Sequence, residues 1–276
     1  NWLWWNLRDK MKIKTVFMDL DGTTLREDLT ISNRLKEKIN ELEGKGIKFF
    51  VSTGRSYKSS KPFVEELALK HETITYNGAR IISANDNESN NIYEQPLSSE
   101  IVGKLVKISR EKGIHLNLYN DDELYVENNS EEAIAYSKSV GINYILEDFD
   151  EFNNKTSTKG LFIADNEILL NLKKELEQTI SEVNYVFSKP HYLEVLNKNV
   201  NKGKAVEYVL EKYGISLDET MAFGDQWNDY EMLEVVKYGM LMENAPEELK
   251  KDFPKDRITL SNDEDGIVHM LEKIII

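Results

Sequence analysis

Apolar residues along this chain fall into short continuous blocks and longer stretches where they recur every three or four positions. The blocks IKTVFMDL (13–20) and IKFFVST (47–53) predict strands buried on both faces. Between them, SNRLKEKINELEGKG (32–46) places Leu35, Ile39 and Leu42 at helical spacing and closes on Gly44 and Gly46. A helical stretch through Phe63, Val64 and Leu67 follows. A third short strand, ETITYNGA (72–79), then ends in an Asn77-Gly78 turn.

After Gly78 the rhythm changes. ARIISANDNESNNIYEQ (79–95) reads as a hairpin around a polar loop, SSEIVGKLVKISREKG (98–113) as an amphipathic helix, and IHLNLYNDDELYVEN (114–128) as another hairpin-like pair. Further strands are expected near STKGLFIAD, VNYVFS and HYLEVLN, with a second long helix in NEILLNLKKELEQTI. From Asn201 alternation resumes: helix GKAVEYVLEKYG, strand ETMAFGD, helix NDYEMLEVV, strand KYGMLM and helix DGIVHMLEKI. The pattern predicts an α/β core with a parallel sheet from segments 11–82 and 197–276, interrupted by an inserted α+β domain at 83–196. Few side chains are expected to link the two beyond hinges near 81–83 and 196–200. Residues 1–10, NWLWWNLRDK, are too short to span a bilayer and lack the features of a secretory signal. They are expected to be a non-native or upstream extension, with Met11 the natural start.

Composition narrows the function classes. The 276 residues carry 49 acidic against 35 basic side chains, a formal net charge of −14, which disfavours a nucleic-acid partner. A local pocket of cations for a small anion remains compatible with that balance. Cysteine is absent, so disulfides, thiolate zinc sites and cysteine nucleophiles are excluded. A cytoplasmic protein, without membrane contact and acting as monomer or homodimer, is expected.

Candidate chemistry gathers at predicted strand ends, where open α/β sheets bind ligands. Asp19-Leu20-Asp21-Gly22-Thr23 ends the first strand. An i, i+2 pair in extended backbone turns both carboxylates to one side, and Gly22 allows a sharp turn. Neighbouring carboxylates are best tolerated around a cation, and oxygen ligands favour a hard ion such as Mg²⁺; a capped turn is the plainer alternative. Val51-Ser52-Thr53-Gly54-Arg55 ends the second strand ahead of a helix whose amides suit phosphate, or simply a hydroxyl cap. Lys202 opens a helix, where its charge opposes the macrodipole; a bound anion would account for it, as would a surface position. Gly224-Asp225-Gln226-Trp227-Asn228-Asp229 follows the strand TMAF, placing more carboxylates at a third strand end. The histidines His71, His115, His191 and His269 show no metal spacing.

Taken together, FMDLDGTTL, STGR, NKGKA and GDQWNDYEML resemble, in order and spacing, the four motifs of the haloacid dehalogenase (HAD) superfamily. The insert resembles the C2 cap (C2B type) of its Cof-type, class IIB members, with TYNGARI and HYLEVLNKNVNKGKA similar to the entry and return. Thr24 departs from the family's usual apolar residue. The resemblance implies a Rossmann-like core and an Mg²⁺-dependent phosphatase acting on a small phosphorylated metabolite. It implies Asp19 as nucleophile and Asp21 as acid–base, with Mg²⁺ held by Asp19, the Asp21 carbonyl and Asp225, supported by Asp229. Leu20, Thr53, Gly54, Lys202 and Asn228 would hold phosphoryl oxygens, while His191 and Tyr192 at the cap's return would influence selectivity. A phosphosugar mutase and a non-catalytic sensor of phosphorylated metabolites are the alternatives.

Overall fold

The computed structural model describes residues 13–83, 91–152 and 154–275; the predicted extension at 1–10 lies outside them. Down the chain come β1 (Thr15–Met18), α1 (Asn33–Gly44), β2 (Lys48–Val51), α2 (Tyr57–Glu66), β3 (Thr73–Thr75), β4 (Arg80–Ile82) and β5 (Asn91–Glu94). The middle adds α3 (Ser99–Lys112), β6 (His115–Asn120), β7 (Glu123–Val126), α4 (Glu131–Val140) and β8 (Tyr144–Leu146). It continues with β9 (Gly160–Ile163), α5 (Asn166–Thr179), β10 (Val183–Lys189) and β11 (Tyr192–Asn197). Last are α6 (Lys202–Tyr213), β12 (Thr220–Gly224), α7 (Tyr230–Val235), β13 (Tyr238–Leu241), α8 (Glu247–Lys250) and α9 (Gly266–Ile274).

The protein is α/β. Its first sheet is parallel, in the order β13-β12-β1-β2, with Met18 level with Phe223 on one side and Val51 on the other. Alternation of side chains explains the unbroken apolar runs. Val16, Met18, Phe49 and Val51 pack with α1 and α9 through Leu35, Ile39, Val268 and Leu271. Phe17, Phe50 and Ala222 face the opposite layer with Val206, Val209, Met232 and Leu233 of α6 and α7. A parallel bridge from Ser52 to Ile74 extends the sheet towards β3, and the 79–95 hairpin forms as β4–β5 in an antiparallel β3-β4-β5 sheet.

A second, six-stranded sheet runs β10-β11-β9-β6-β7-β8, antiparallel except for β7–β8. On one face Leu116, Leu118, Phe162 and Leu193 meet α3 and α5 through Leu105, Leu172 and Leu176. On the other, Tyr119, Leu161 and Leu196 pack with Tyr76 and Ala79 of the first half and with Ala133 and Tyr136 of α4.

Two sequence expectations change. First, α4 and β8 lie in a stretch for which no element was expected. Second, the two sheets are linked by many side chains, not few. Asp122, in the β6–β7 turn, accepts from the Tyr57 and Lys58 N–H groups at 2.9 and 2.8 Å and from the Tyr76 hydroxyl at 2.7 Å. The start of α2, expected to suit phosphate, is therefore already satisfied by a carboxylate and by its N-cap Ser56.

Candidate active site

Parallel pairing brings the ends of β1 and β12 side by side, and the Asp19 N–H donates to Phe223 O at 3.1 Å. The chain then turns tightly: the Thr24 N–H and hydroxyl both donate to the Asp19 carbonyl, at 3.2 and 2.6 Å, and the Leu25 N–H to Leu20 O at 2.8 Å. This accounts for Thr24, whose buried hydroxyl closes the turn where an apolar side chain would leave that bond unmade. Gly22 adopts φ 71°, and a Cβ there would stand 2.3 Å from Asp225 Oδ2, so both backbone and space demand glycine.

Behind the turn lies a buried charge cluster. Oxygen atoms of Asp19, Asp225 and Asp229 lie within 4.8 Å of one another. Lys202 Nζ reaches Asp19 Oδ1 at 2.9 Å and Asp229 Oδ1 at 2.6 Å, with 0% of its side chain exposed. The surface alternative for Lys202 is thus overturned: its helix-start position serves anions that the protein itself supplies. Asp229 Oδ2 accepts from the Asp225 and Gln226 N–H groups at 2.9 and 3.1 Å, and the Thr23 hydroxyl donates to Asp225 Oδ1 at 2.8 Å. Burial, then the Asp229 charge, push the Asp19 carboxyl up to about 7 despite Lys202. Burial, then Asp19 and Asp229, raise Asp225 well above the carboxylate range. Burial opposes the Lys202 charge, but the two carboxylates outweigh it and hold its ammonium above the ordinary range. Three buried carboxylates against one ammonium make an oxygen-only donor set short of positive charge, which fits a hard divalent cation.

Asp21 stands apart from this cluster. Arg55 grips it with a two-pronged fork, Nε to Oδ2 at 2.6 Å and Nη2 to Oδ1 at 2.7 Å. Burial opposes ionisation of Asp21, but these bonds and the guanidinium charge prevail and hold it below the usual range. Arg55 Nη1 also donates to Ser59 Oγ at 2.8 Å, whose hydroxyl donates to the Val140 carbonyl of α4 at 2.5 Å. The fork is therefore tied to the second sheet's layer.

A cavity of about 390 Å³ opens over these strand ends. Asp19, Asp21, Gly54, Asp225 and Asn228 are on its wall, as are His191 and Tyr192, so both ends of the predicted site converge. Leu20, Thr53, Lys202 and Asp229 lie behind the wall, fully or nearly fully buried. The Thr53 Oγ1 accepts from the Arg55 N–H at 3.0 Å. Sequence reading missed Arg55, Lys159 and Glu194, and the α4 residues Tyr136, Ser139 and Val140. Arg55 closes the VSTGR motif, yet only the fold reveals its partner; α4 was signalled by Ser130 at its N-cap, two glutamates in its first turn and Gly141 after its end.

The model of the haloacid dehalogenase-like hydrolases matches residues 16–271. The chain belongs to this family. An HMP-PP phosphatase from Yersinia pseudotuberculosis is 32% identical over 254 residues, covering 92% of each chain. A haloacid dehalogenase-like hydrolase from Bacteroides thetaiotaomicron superposes with a TM-score of 0.83 at 28% identity, covering 96% of this chain and 100% of its own. The structure of a HAD subclass IIB sugar phosphatase superposes with a TM-score of 0.83 at 26% identity, covering 94% and 98%. The Cof-type HAD resemblance is thereby shown, and this HAD hydrolase is a phosphatase enzyme. Among the described residues no helix is long and apolar enough to cross a membrane.

Proposed function

We propose that this HAD enzyme hydrolyses a small phosphorylated metabolite, a sugar phosphate or similar compound, with Mg²⁺ and through an aspartyl-phosphate intermediate. The observation that carries this reading is Asp19 at the cavity wall, pinned through Oδ1 by the buried Lys202 inside a three-carboxylate cluster. Asp19 attacks phosphorus as the leaving oxygen departs, splitting hydrolysis into two steps. Asp21, which the Arg55 fork holds ionised at rest, takes up a proton from solvent on leaving the fork, gives it to that oxygen and later takes one from the attacking water. Gly54 and Asn228 line the cavity where the phosphoryl oxygens sit, and Lys202, Leu20 and Thr53 brace them from behind. Asp19, the Asp21 carbonyl and Asp225, with Asp229 in support, would hold Mg²⁺, which neutralises charge developing on the phosphoryl group.

We assign the cap to 83–196, within which β5 returns to pair with β4 in the three-stranded sheet of the core side. His191 and Tyr192 stand at the turn into β11, facing the site, and bias the choice of leaving group. The test is inorganic phosphate release from a panel of sugar phosphates, nucleotide-like phosphates and HMP-PP, with Mg²⁺ and in excess chelator. Mg²⁺-dependent release supports the reading. Interconversion of phosphosugars without net release would replace it with a mutase, and no turnover of any compound would replace it with a sensor.

A further inference from the structure

A chain of buried hydrogen bonds runs from the second sheet into the phosphate end of the site. Glu194 Oε2, on β11, accepts from Lys159 Nζ at 2.9 Å and from Asn77 Nδ2 at 2.8 Å. Asn77 Oδ1 in turn accepts from Asn228 Nδ2 at 2.9 Å. Lys159, just before β9, also donates to the Gly54 carbonyl at 2.7 Å. Lys159 and Glu194 are 2% and 4% exposed, so this ion pair is almost wholly desolvated. Burying such a pair is poor value for stability alone, because well-packed apolar side chains do as well.

The chain has a direction. A carboxylate only accepts, so Asn77 must present its NH₂ to Glu194, and its oxygen is left facing Asn228. Asn228 must then offer its own NH₂. The Asn228 Oδ1 is buried without a partner, so the Asn77 contact alone decides which way this amide is turned. Asn77 itself is held at φ 55°, its N–H on Thr53 O at 3.0 Å, and a Cβ on Gly54 would meet its Oδ1 at 3.0 Å. It is a fixed middle link.

We propose that Glu194, held by Lys159, is a positioning residue that acts through Asn77 to turn the Asn228 amide NH₂-first at the phosphoryl site. The inference rests on Asn228 being a phosphoryl holder. Beryllofluoride binding in the presence of Mg²⁺, measured by calorimetry on the full chain, is the readout, with thermal melting as the check on folding. Removing both members of the ion pair leaves no orphaned charge, so K159M/E194M is expected to fold, yet to bind beryllofluoride about tenfold more weakly. N77G, placed where a positive φ suits glycine, is expected to lose a similar factor. E194Q, which keeps an oxygen at the accepting position, is expected to lose less than E194M. A folded K159M/E194M variant that binds beryllofluoride like the parent overturns the proposal, as does equal loss in E194Q and E194M. N228A separates the two failures: if it too binds like the parent, the assignment of Asn228 falls, and if it alone is weakened, only the relay does.

Discussion

Two parts of the cavity wall, the core strand ends and the β10–β11 turn facing them, hold their side chains by different means. On the sheet side the charged groups are packed away and braced by one another: Lys202 lies between Asp19 and Asp229, Asp229 takes two backbone N–H groups, and Asp225 takes Thr23. On the facing side His191 is exposed and Tyr192 half-buried, and contacts between rings and cations hold them. The His191 and Tyr136 rings lie 4.2 and 5.5 Å from that of Tyr192, with Lys189 Nζ 5.6 Å from it. The first arrangement suits one unvarying reaction, whose charges must be in place before it starts. The second suits a boundary that adapts to different leaving groups.

The comparison is broken most severely on the sheet side. Asp19→Asn removes the carboxylate proposed as nucleophile and keeps its shape, so turnover should fall by roughly 10⁴-fold while circular dichroism stays that of the parent. Rates like the parent's would refute attack by Asp19. Lys202→Met leaves two buried carboxylates without their cation, and should cost about 3–5 kcal/mol in urea unfolding as well as beryllofluoride affinity. A stability loss under about 1 kcal/mol would mean that water reaches the cluster.

Arg55 belongs to both walls, gripping Asp21 and reaching α4 through Ser59. Arg55→Ala frees Asp21 from the fork, so kcat on alkyl phosphates, which need a proton delivered to the leaving oxygen, should fall by about 10²-fold through lost orientation. The alkaline limb of the pH profile should move up, because the guanidinium no longer depresses Asp21. Aryl phosphates with acidic leaving groups should lose only a few-fold, and equal losses on both would make Arg55 a packing residue. The smallest effects are expected opposite. His191→Ala and Tyr192→Ala should reorder rates within a substrate panel by factors of about 3 to 30, without moving Mg²⁺ dependence or beryllofluoride affinity. A uniform loss with weakened metal response would put these two side chains in service of the sheet side.

Legibility in the sequence divides along the same line. Asp19, Asp21, Asp225 and Asn228 could be found because each sits where an apolar run stops, and strand ends of a parallel sheet converge. Lys202 could be found because a cation at a helix start is out of place, although its partners proved to be protein carboxylates. The facing wall is stitched from α4, β9 and the β10–β11 turn, and only the register of the six-stranded sheet brings Lys159 and Glu194 together. In α4 only Ala133 and Tyr136 are buried, too few apolar positions to show a helical stripe. The Arg55–Asp21 fork joins residues 34 apart, a pairing that no local pattern encodes.

The most direct test of the central claim is to catch the phosphoryl group on Asp19. The enzyme, mixed with Mg²⁺ and an aryl phosphate, is quenched in acid within one turnover, reduced with borohydride and mapped by mass spectrometry. Asp19 is predicted to be recovered in part as homoserine, the mark of an acyl phosphate at that carboxylate, and never so in Asp19→Asn. Reduction at another residue, or undiminished phosphate release by Asp19→Asn, would contradict the account.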